Sequence, residues 1–349
     1  MSTDDNESPA VSVIIVIYND GAWLPRCLES LRQQTLAPRF EVIVADNASN
    51  DDSAQIAQHL LADWPAGRFL QNGANLGFGP GNNRAAAAAR GQYLYFVNSD
   101  TWFEPDCLEQ LYTAAEQNAA AAAGATVLEY ADNTLIARGS DGLDLFGNPV
   151  SPSHNRIPEP LFCIAGFYFI RRNVFERIGQ FDERYFMYGE ELDLSWRLWV
   201  CGEKVVYAKR ARLHHRGAVG VNPEGGIKPT VHRTSELKRF YANRNQLLTI
   251  AKNSQHLLLF MLLPAALLTC AEGLLTLVLT RRWRTFRHVC LSPFADFIRL
   301  LPQTKAARRR LALLRQRSDF WMLRFLRCRF GRMHEVKQIL RKGSPRFDR

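Results

Sequence analysis

"VSVIIVIYN" at residues 11–19 is an apolar run that ends in Tyr and Asn. It is long enough for one strand, and it carries apolar residues for both faces. That pattern places it in the middle of a parallel sheet covered by helices on each side. The segments that follow agree. In "WLPRCLESLRQQT" (23–35), Leu24, Cys27, Leu28 and Leu31 fall at i, i+3, i+4 and i+7, the stripe of an amphipathic helix. "FEVIVADNAS" (40–49) is a second strand, and "DDSAQIAQHLLADW" (51–64) a helix with acidic residues at the positive end of its dipole. "RFLQNGANLGFGPGNNRAAAAARG" (68–91) gives a short strand, a Gly/Asn-rich loop and an Ala-rich helix before the strand "QYLYFVNSD" (92–100). Strands alternating with helices define a doubly wound α/β sheet. Its polar clusters, Asn19-Asp20, Asp46-Asn47 and Asn98-Ser99-Asp100, all follow strands. In an open parallel sheet the ligand crevice lies at the carboxyl ends of the strands, so these clusters are expected to meet there.

Further along, 102–160 is less regular, and the Ala runs at 85–89 and 119–123 are both compatible with helix. Residues 163–179 predict a strand and a helix, 181–202 an aromatic loop and a helix, 204–220 a strand and a polar His-Gly loop, and 233–253 a helix. The expected organisation is a catalytic α/β domain over 1–225 and a helical region over 226–349.

Charge divides the chain in the same way. Residues 281–349 carry 20 Lys and Arg against 4 Asp and Glu, although the whole chain is only +10. A tail of this kind suits an anionic surface. The segment before it, "LLLFMLLPAALLTCAEGLLTLVLT" (257–280), has one charge, Glu272, and is long enough to cross a bilayer. Pro264 and Glu272-Gly273 interrupt it, Glu272 is costly at membrane depth, and both flanks are basic. An in-plane or re-entrant segment is therefore expected rather than a span. Because the basic tail adjoins this apolar segment, the expected partner is an anionic inner-membrane surface and not nucleic acid. The polar, acidic start "MSTDDNESPA" lacks the pattern of a signal peptide, so the expected location is the cytoplasmic side of the inner membrane, peripheral or monotopic. Seven scattered cysteines fit reduced thiols, and a homodimer is compatible with this organisation.

Three constellations carry chemistry. A carboxylate at a strand end, as in Asn98-Ser99-Asp100, can hold Mg2+ or Mn2+; equally, Asp100 could cap a helix around Glu104-Pro105-Asp106. In Glu190-Glu191-Leu192-Asp193, helical spacing puts Glu190, Asp193 and Arg197 on one stripe, where Asp193 and Arg197 form an ordinary surface pair. Glu191 points elsewhere, in the first turn, and could act as a general base on a hydroxyl. His214-His215-Arg216-Gly217 offers a histidine to complete a metal shell, or a structural pair.

The order "VSVIIVIYN", "EVIVADNASNDDS", "NLGFGPGNNRA", "YFVNSDT", "AGFYFIRRNVFERIGQFDERYFMYGEELDLSWRL", "ARLHHRG" resembles the inverting nucleotide-sugar glycosyltransferases of family 2, which have the GT-A fold, over about residues 10–220. The "YFMYGEELDLSWR" block and the tail resemble the rhamnosyltransferase-like branch. The resemblance implies that Tyr18 and Asn19 flank the base, that Asp46 hydrogen-bonds it, and that Asn75, Gly77 and Asn82 close over the nucleotide. It implies that Asn98-Ser99-Asp100 is the metal-binding motif, with Asp100 the ligand and His215, in competition with His214, completing the shell. It implies Glu191 as the base beside Glu190, with Asp193 the alternative. The family more often has Asp at the base position. The implied reaction moves a sugar, first choice rhamnose from dTDP-rhamnose, to a saccharide acceptor, lipid-linked, in cell-surface polysaccharide synthesis. The alternatives are a UDP-sugar transferase of the same fold and a membrane-associated nucleotide-sugar-binding protein without catalysis.

Overall fold

A computed structural model of the chain describes residues 8–36, 39–153, 156–217, 233–333, 341 and 346–348. The expected boundary at 225/226 lies outside the described residues, as do 218–220 of the expected His-Gly loop. The chain forms two compact units. One holds the residues up to Ala137 together with Ala165–Arg184 and Val206–Arg216; the other holds Arg138–Ile164, Tyr185–Val205 and the residues from Gly217 on.

The strands in chain order are β1 (Val11–Ile17), β2 (Phe40–Asp46), β3 (Gly67–Gln71), β4 (Tyr93–Val97), β5 (Thr101–Phe103), β6 (Ala122–Glu129), β7 (Leu135–Ala137), the two-residue β8 (Gly142–Leu143) and β9 (Pro149–Val150), β10 (Tyr168–Arg171), β11 (Val205–His215), β12 (Arg233–Ser235) and β13 (Arg346–Asp348). The helices that matter below are α1 (Leu24–Arg32), α2 (Ser53–Leu61), α3 (Phe78–Ala86), α4 (Cys107–Gln117), α5 (Arg172–Arg177), α6 (Glu190–Val200), α7 (Glu236–Asn253) and α8 (Leu262–Thr280).

The first unit is a nine-stranded sheet in the order β3-β2-β1-β4-β10-β6-β11-β5, with β7 added beside β6. β1 is central, as its apolar run dictates, and pairs in parallel with β2 and β4. β1, β2 and β4 therefore share one carboxyl edge. The other half of the sheet is antiparallel: β10 runs against β4 and β6, and β11 against β5. Val13, Ile15, Val42, Val44, Tyr95 and Phe169 share one buried core with Leu24, Cys27, Leu28 and Leu31 of α1.

Two local readings fail here. The Ala run at 119–123 is not helical. Ala119 takes φ 46°, ends α4, and the chain enters β6, buried along its whole length. Small side chains suit a strand enclosed on both faces, and that packing outweighs alanine's helix preference. His214 and His215 are not in a loop either; they are the last two residues of β11.

The second unit is mostly helical, with the short strand pairs β8–β9 and β12–β13. Its central helix, α7, is buried on every side from Asn243 to Asn253. Much of what it buries is polar, so this core is held by hydrogen bonds as well as apolar contact. Asn243 donates to the Val289 carbonyl (3.0 Å), and Tyr185 Oη meets Thr249 Oγ1 (2.8 Å). Neither Pro264 nor Gly273 interrupts the apolar segment. After a 3-10 turn, Leu257–Met261, helix α8 runs unbroken to Thr280. Pro264 sits in its first turn, where a missing N–H removes no helical bond. Gly273 lets the helix approach Cys290 so closely that a Cβ would lie 2.5 Å from the Cys290 Cβ.

Candidate functional site

The carboxyl edge of β1, β2 and β4 gathers the three polar clusters. Asn19 adopts φ 57°, a conformation asparagine tolerates. Its N–H donates to Ser49 Oγ (2.9 Å) and its Oδ1 accepts from Asn50 N–H (2.8 Å), so it ties the end of β1 to the loop after β2. Asp46 is fully buried, and both carboxylate oxygens accept from Ser49 N–H (3.1–3.2 Å). Tyr18, 40% exposed, is an open aromatic side chain here. Asn75 accepts from Gly77 N–H (3.1 Å), and Gly77 takes φ 83° at the head of α3. Asn82 points inward, fully buried, and donates to the Phe78 carbonyl (2.9 Å); it shapes the loop from behind. Asn47, placed at the crevice with Asp46 by the sequence but given no bonding role, bridges β2 to this loop by donating to the Gly77 carbonyl (3.1 Å) and accepting from Asn72 (2.8 Å).

Asp100 does not cap a helix, because β5 intervenes and α4 begins only at Cys107. It instead faces β11. The register pairs Thr101 with His215 and Trp102 with His214, and neighbouring strand residues point to opposite faces. His215 Nε2 thus lies 3.2 Å from Asp100 Oδ1 and 3.4 Å from Asn98 Nδ2. His214 is buried on the other side. Its Nδ1 is 2.8 Å from the Glu129 carbonyl, and its ring stacks on Trp102 at 3.6 Å. Trp102 donates to the Tyr130 carbonyl (3.0 Å), and the Arg26 guanidinium lies over both rings, 4.6 and 4.5 Å from the Trp102 and Tyr130 centroids. This stack fixes the β5–β11 register and with it the Asp100–His215 pair. Arg216 N–H to the Asp100 carbonyl (3.1 Å) adds a main-chain tie.

Asp20, placed at the crevice with Asn19 by the sequence but given no role of its own, also belongs to this edge. Burial pushes its carboxyl above the ordinary range. Hydrogen bonds from Tyr18 N–H and Ser99 oppose that, and the nearby charges of Asp100 and Asp51 add to it.

Among the described residues, no three His, Cys, Asp or Glu side chains gather as a complete metal shell. Asp100 and His215 supply one oxygen and one nitrogen at a strand edge. Mg2+ and Mn2+ bound beside a diphosphate use one or two protein ligands and take the rest from phosphate oxygens and water, so these residues fit such an ion.

In the second unit, Tyr188 (φ 66°) and Gly189 (φ 89°) turn the chain sharply into α6. Asn245 of α7 holds that turn by donating to the Met187 and Tyr188 carbonyls (2.9 and 2.6 Å). Its only signal in the sequence is an asparagine inside a helical stretch. Glu190 is buried and Glu191 half-buried in the first turn of α6. Burial pushes both carboxyls up, and for Glu190 the neighbouring charges of Glu191 and Asp193 push further. Among the described residues, Glu190 Oε2 has no hydrogen-bond partner.

A carboxyl raised in the folded state contributes stability at low pH and loses it as pH rises from the unfolded value through the folded one. Glu190→Gln is therefore expected to raise the melting temperature at neutral pH, an advantage that disappears below about pH 4. Paired thermal melts across that range check it.

Asp193 is not on an exposed face. It is fully buried, and α6 is buried on nearly all sides. Asp193 accepts from Arg197 Nη2 (2.8 Å), Lys252 Nζ (2.7 Å) and Asn253 Nδ2 (3.0 Å), and both cations are themselves buried. The carboxylate is thus shut from solvent between two cations in a buried ion-pair network.

The fold accords with what the chain is similar to. A family model, "Glycosyl transferase family 2", matches residues 12–179. N-acetylglucosaminyl-diphospho-decaprenol L-rhamnosyltransferase of Mycobacterium tuberculosis is 31% identical over 259 residues, which are 66% of this chain and 82% of that protein. Putative glycosyltransferase EpsH of Bacillus subtilis is 38% identical over 109 residues, 31% of each chain, so the likeness spans under a third of that relative. Among solved structures, S. aureus TarS 1-349 in complex with UDP superposes with a TM-score of 0.56 at 16% identity, covering 97% of this chain and 94% of that one. The chain belongs to glycosyl transferase family 2 and has the GT-A fold.

Proposed function

We propose that the chain is an inverting glycosyltransferase that moves a sugar from a nucleotide-sugar donor to a saccharide acceptor during polysaccharide assembly. The observation that carries this reading is the Asp100–His215 pair, set at the carboxyl edge of the parallel strands beside Asn98, Ser99 and Asp20. A nucleotide-sugar needs a place for its base and a place for its diphosphate. Tyr18 and the loop ordered by Asn19, Asp46, Asn75 and Gly77 serve the first. Asn98, Ser99, Asp100 and His215 serve the second. A divalent cation bound there supplies a Lewis acid for the charge on the leaving diphosphate.

Glu191 takes the proton from the acceptor hydroxyl as that oxygen attacks the anomeric carbon. A raised carboxyl suits this task, since its affinity for the proton is higher than that of an ordinary carboxylate. One displacement without a covalent intermediate inverts the anomeric configuration. dTDP-rhamnose is the first choice of donor and a lipid-linked saccharide the first choice of acceptor. The name of the mycobacterial relative supports the rhamnosyl group and the lipid-linked acceptor, the dTDP carrier rests on the resemblance, and UDP-sugars come second.

A thermal-shift panel of dTDP-, UDP- and GDP-sugars with Mg2+ or Mn2+ tests the reading, because a bound donor stabilises the fold by mass action. One class of donor is expected to raise the melting temperature in a metal-dependent way. His215→Ala should then require about tenfold more metal for the same shift. No shift with any donor contradicts a nucleotide-sugar function, and an unchanged metal requirement removes His215 from the metal site.

A further inference from the structure

We propose that α8 docks lengthwise in the plane of an anionic lipid bilayer, with the ridge Leu257–Phe260–Leu263–Leu267–Leu274–Val278 in the acyl boundary. These residues recur at helical spacing along one side of the 3-10 turn and α8. They are 48%, 45%, 67%, 61%, 55% and 72% exposed. A soluble domain rarely leaves so continuous an apolar ridge in water.

The opposite ridge, Leu258, Met261, Ala265, Thr269 and Gly273, is buried in the second unit. Glu272 lies beside it. Its carboxylate is ion-paired with Arg332 and lies 3.9 Å from Arg239. Arg332 also donates to Asn148 Oδ1 (2.9 Å) and Gln246 Oε1 (3.0 Å). One side of α8 is thus bonded into a polar interior. Crossing a bilayer would strip that side of its partners and leave the Glu272 charge in hydrocarbon. Lying in the interface requires neither. The helix keeps its buried side and immerses only the ridge.

Charge identifies the occupant. α8 ends at Thr280, and Arg281, Arg282, Arg284 and Arg287 follow, all exposed, around an exposed Trp283. Lys305, Arg309 and Arg310 are exposed further on. The three carboxylates between 257 and 320 are withdrawn into ion pairs: Glu272 with Arg332, Asp296 with Arg244 and Arg299, and Asp319 near Arg315. An apolar ridge ending in tryptophan and guanidinium groups, without exposed carboxylates, matches acyl chains bordered by anionic phosphodiester headgroups.

The test is vesicle flotation of the full chain, which reads no transfer and so fails or succeeds independently of the donor assignment. The chain should float with phosphatidylcholine–phosphatidylglycerol vesicles and only weakly with phosphatidylcholine alone. The double variant L267E/V278E should bind at least about tenfold less, with an unchanged melting temperature because both sites are exposed. R282E/R284E should weaken binding to the anionic vesicles and leave the residual binding to neutral ones. In a Cys328→Ser background, fluorophores on cysteines at 263, 267, 274 and 278 should be quenched alike by a nitroxide at one lipid depth. A parent chain that does not float overturns the proposal. So does L267E/V278E floating like the parent while losing a dimer, which would assign the ridge to a second copy. A quenching profile graded from shallow to deep to shallow would show a span and overturn it as well.

Discussion

Glu191→Gln is expected to lower sugar transfer by about 10²–10⁴-fold, the range for loss of a general base. The change keeps shape and hydrogen-bonding reach and removes only the ability to accept a proton. Donor binding should be unchanged, because the nucleotide and diphosphate are assigned to the carboxyl edge of the sheet and not to α6. The raised Glu190 and Glu191 carboxyls add a pH signature. A base works only when deprotonated, so the rate should climb with pH through a limb lying above the ordinary carboxylate range near 4.3. That limb belongs to the pair, and Glu191→Gln should abolish it. Steady-state rates over pH with parent and variant give both results in one experiment. A variant with parental rate and limb would remove Glu191 from the chemistry.

Asp193→Asn is expected to cost about 3–5 kcal/mol in stability, the usual consequence of removing one member of a buried ion pair. Here the loss strands two buried cations, Arg197 and Lys252, at a fully buried site. In a domain of ordinary stability that loss is a large part of the total, so the variant should melt far lower or fail to accumulate folded. Denaturant titration of parent and variant measures it. A change within a few tenths of a kcal/mol would mean the pair is solvated and behaves as a surface i,i+4 contact. If the variant folds normally but transfers nothing, the base lies at Asp193 and not at Glu191.

The contrast between these two carboxylates shows where the sequence was sufficient. The parallel half of the sheet was legible because apolar runs, helical stripes and polar strand ends are local patterns, and VSVIIVIYN could hardly be anything but a central strand. Asp193 was misplaced because its partners Lys252 and Asn253 come from a helix some sixty residues away. With only Arg197 in local view, the pair looked like a surface one. The strand β6 was hidden for a related reason: alanine's own preference is helical, and only enclosure between β10 and β11 makes Ala122–Glu129 extended.

His214 and His215 were equivalent by composition. The β5–β11 register separates them, turning His215 to Asp100 and His214 under Trp102. Asn245 went unassigned and Asn47 was given no bonding role because each acts by donating to a main-chain carbonyl distant in sequence, which no local pattern records. Glu272 had been a reason to doubt a membrane span, and its partner Arg332, sixty residues away, was out of local view.

The most direct test of the account is the anomeric configuration of the product. The donor that stabilises the full chain in the thermal-shift panel would be incubated with it, a divalent cation and a saccharide acceptor, and the new glycosidic linkage followed by proton NMR from the first turnovers. The account predicts release of the nucleoside diphosphate together with a linkage of inverted configuration, absent with Glu191→Gln. A linkage of retained configuration, or nucleoside diphosphate release and transfer at the parental rate with Glu191→Gln, would contradict it.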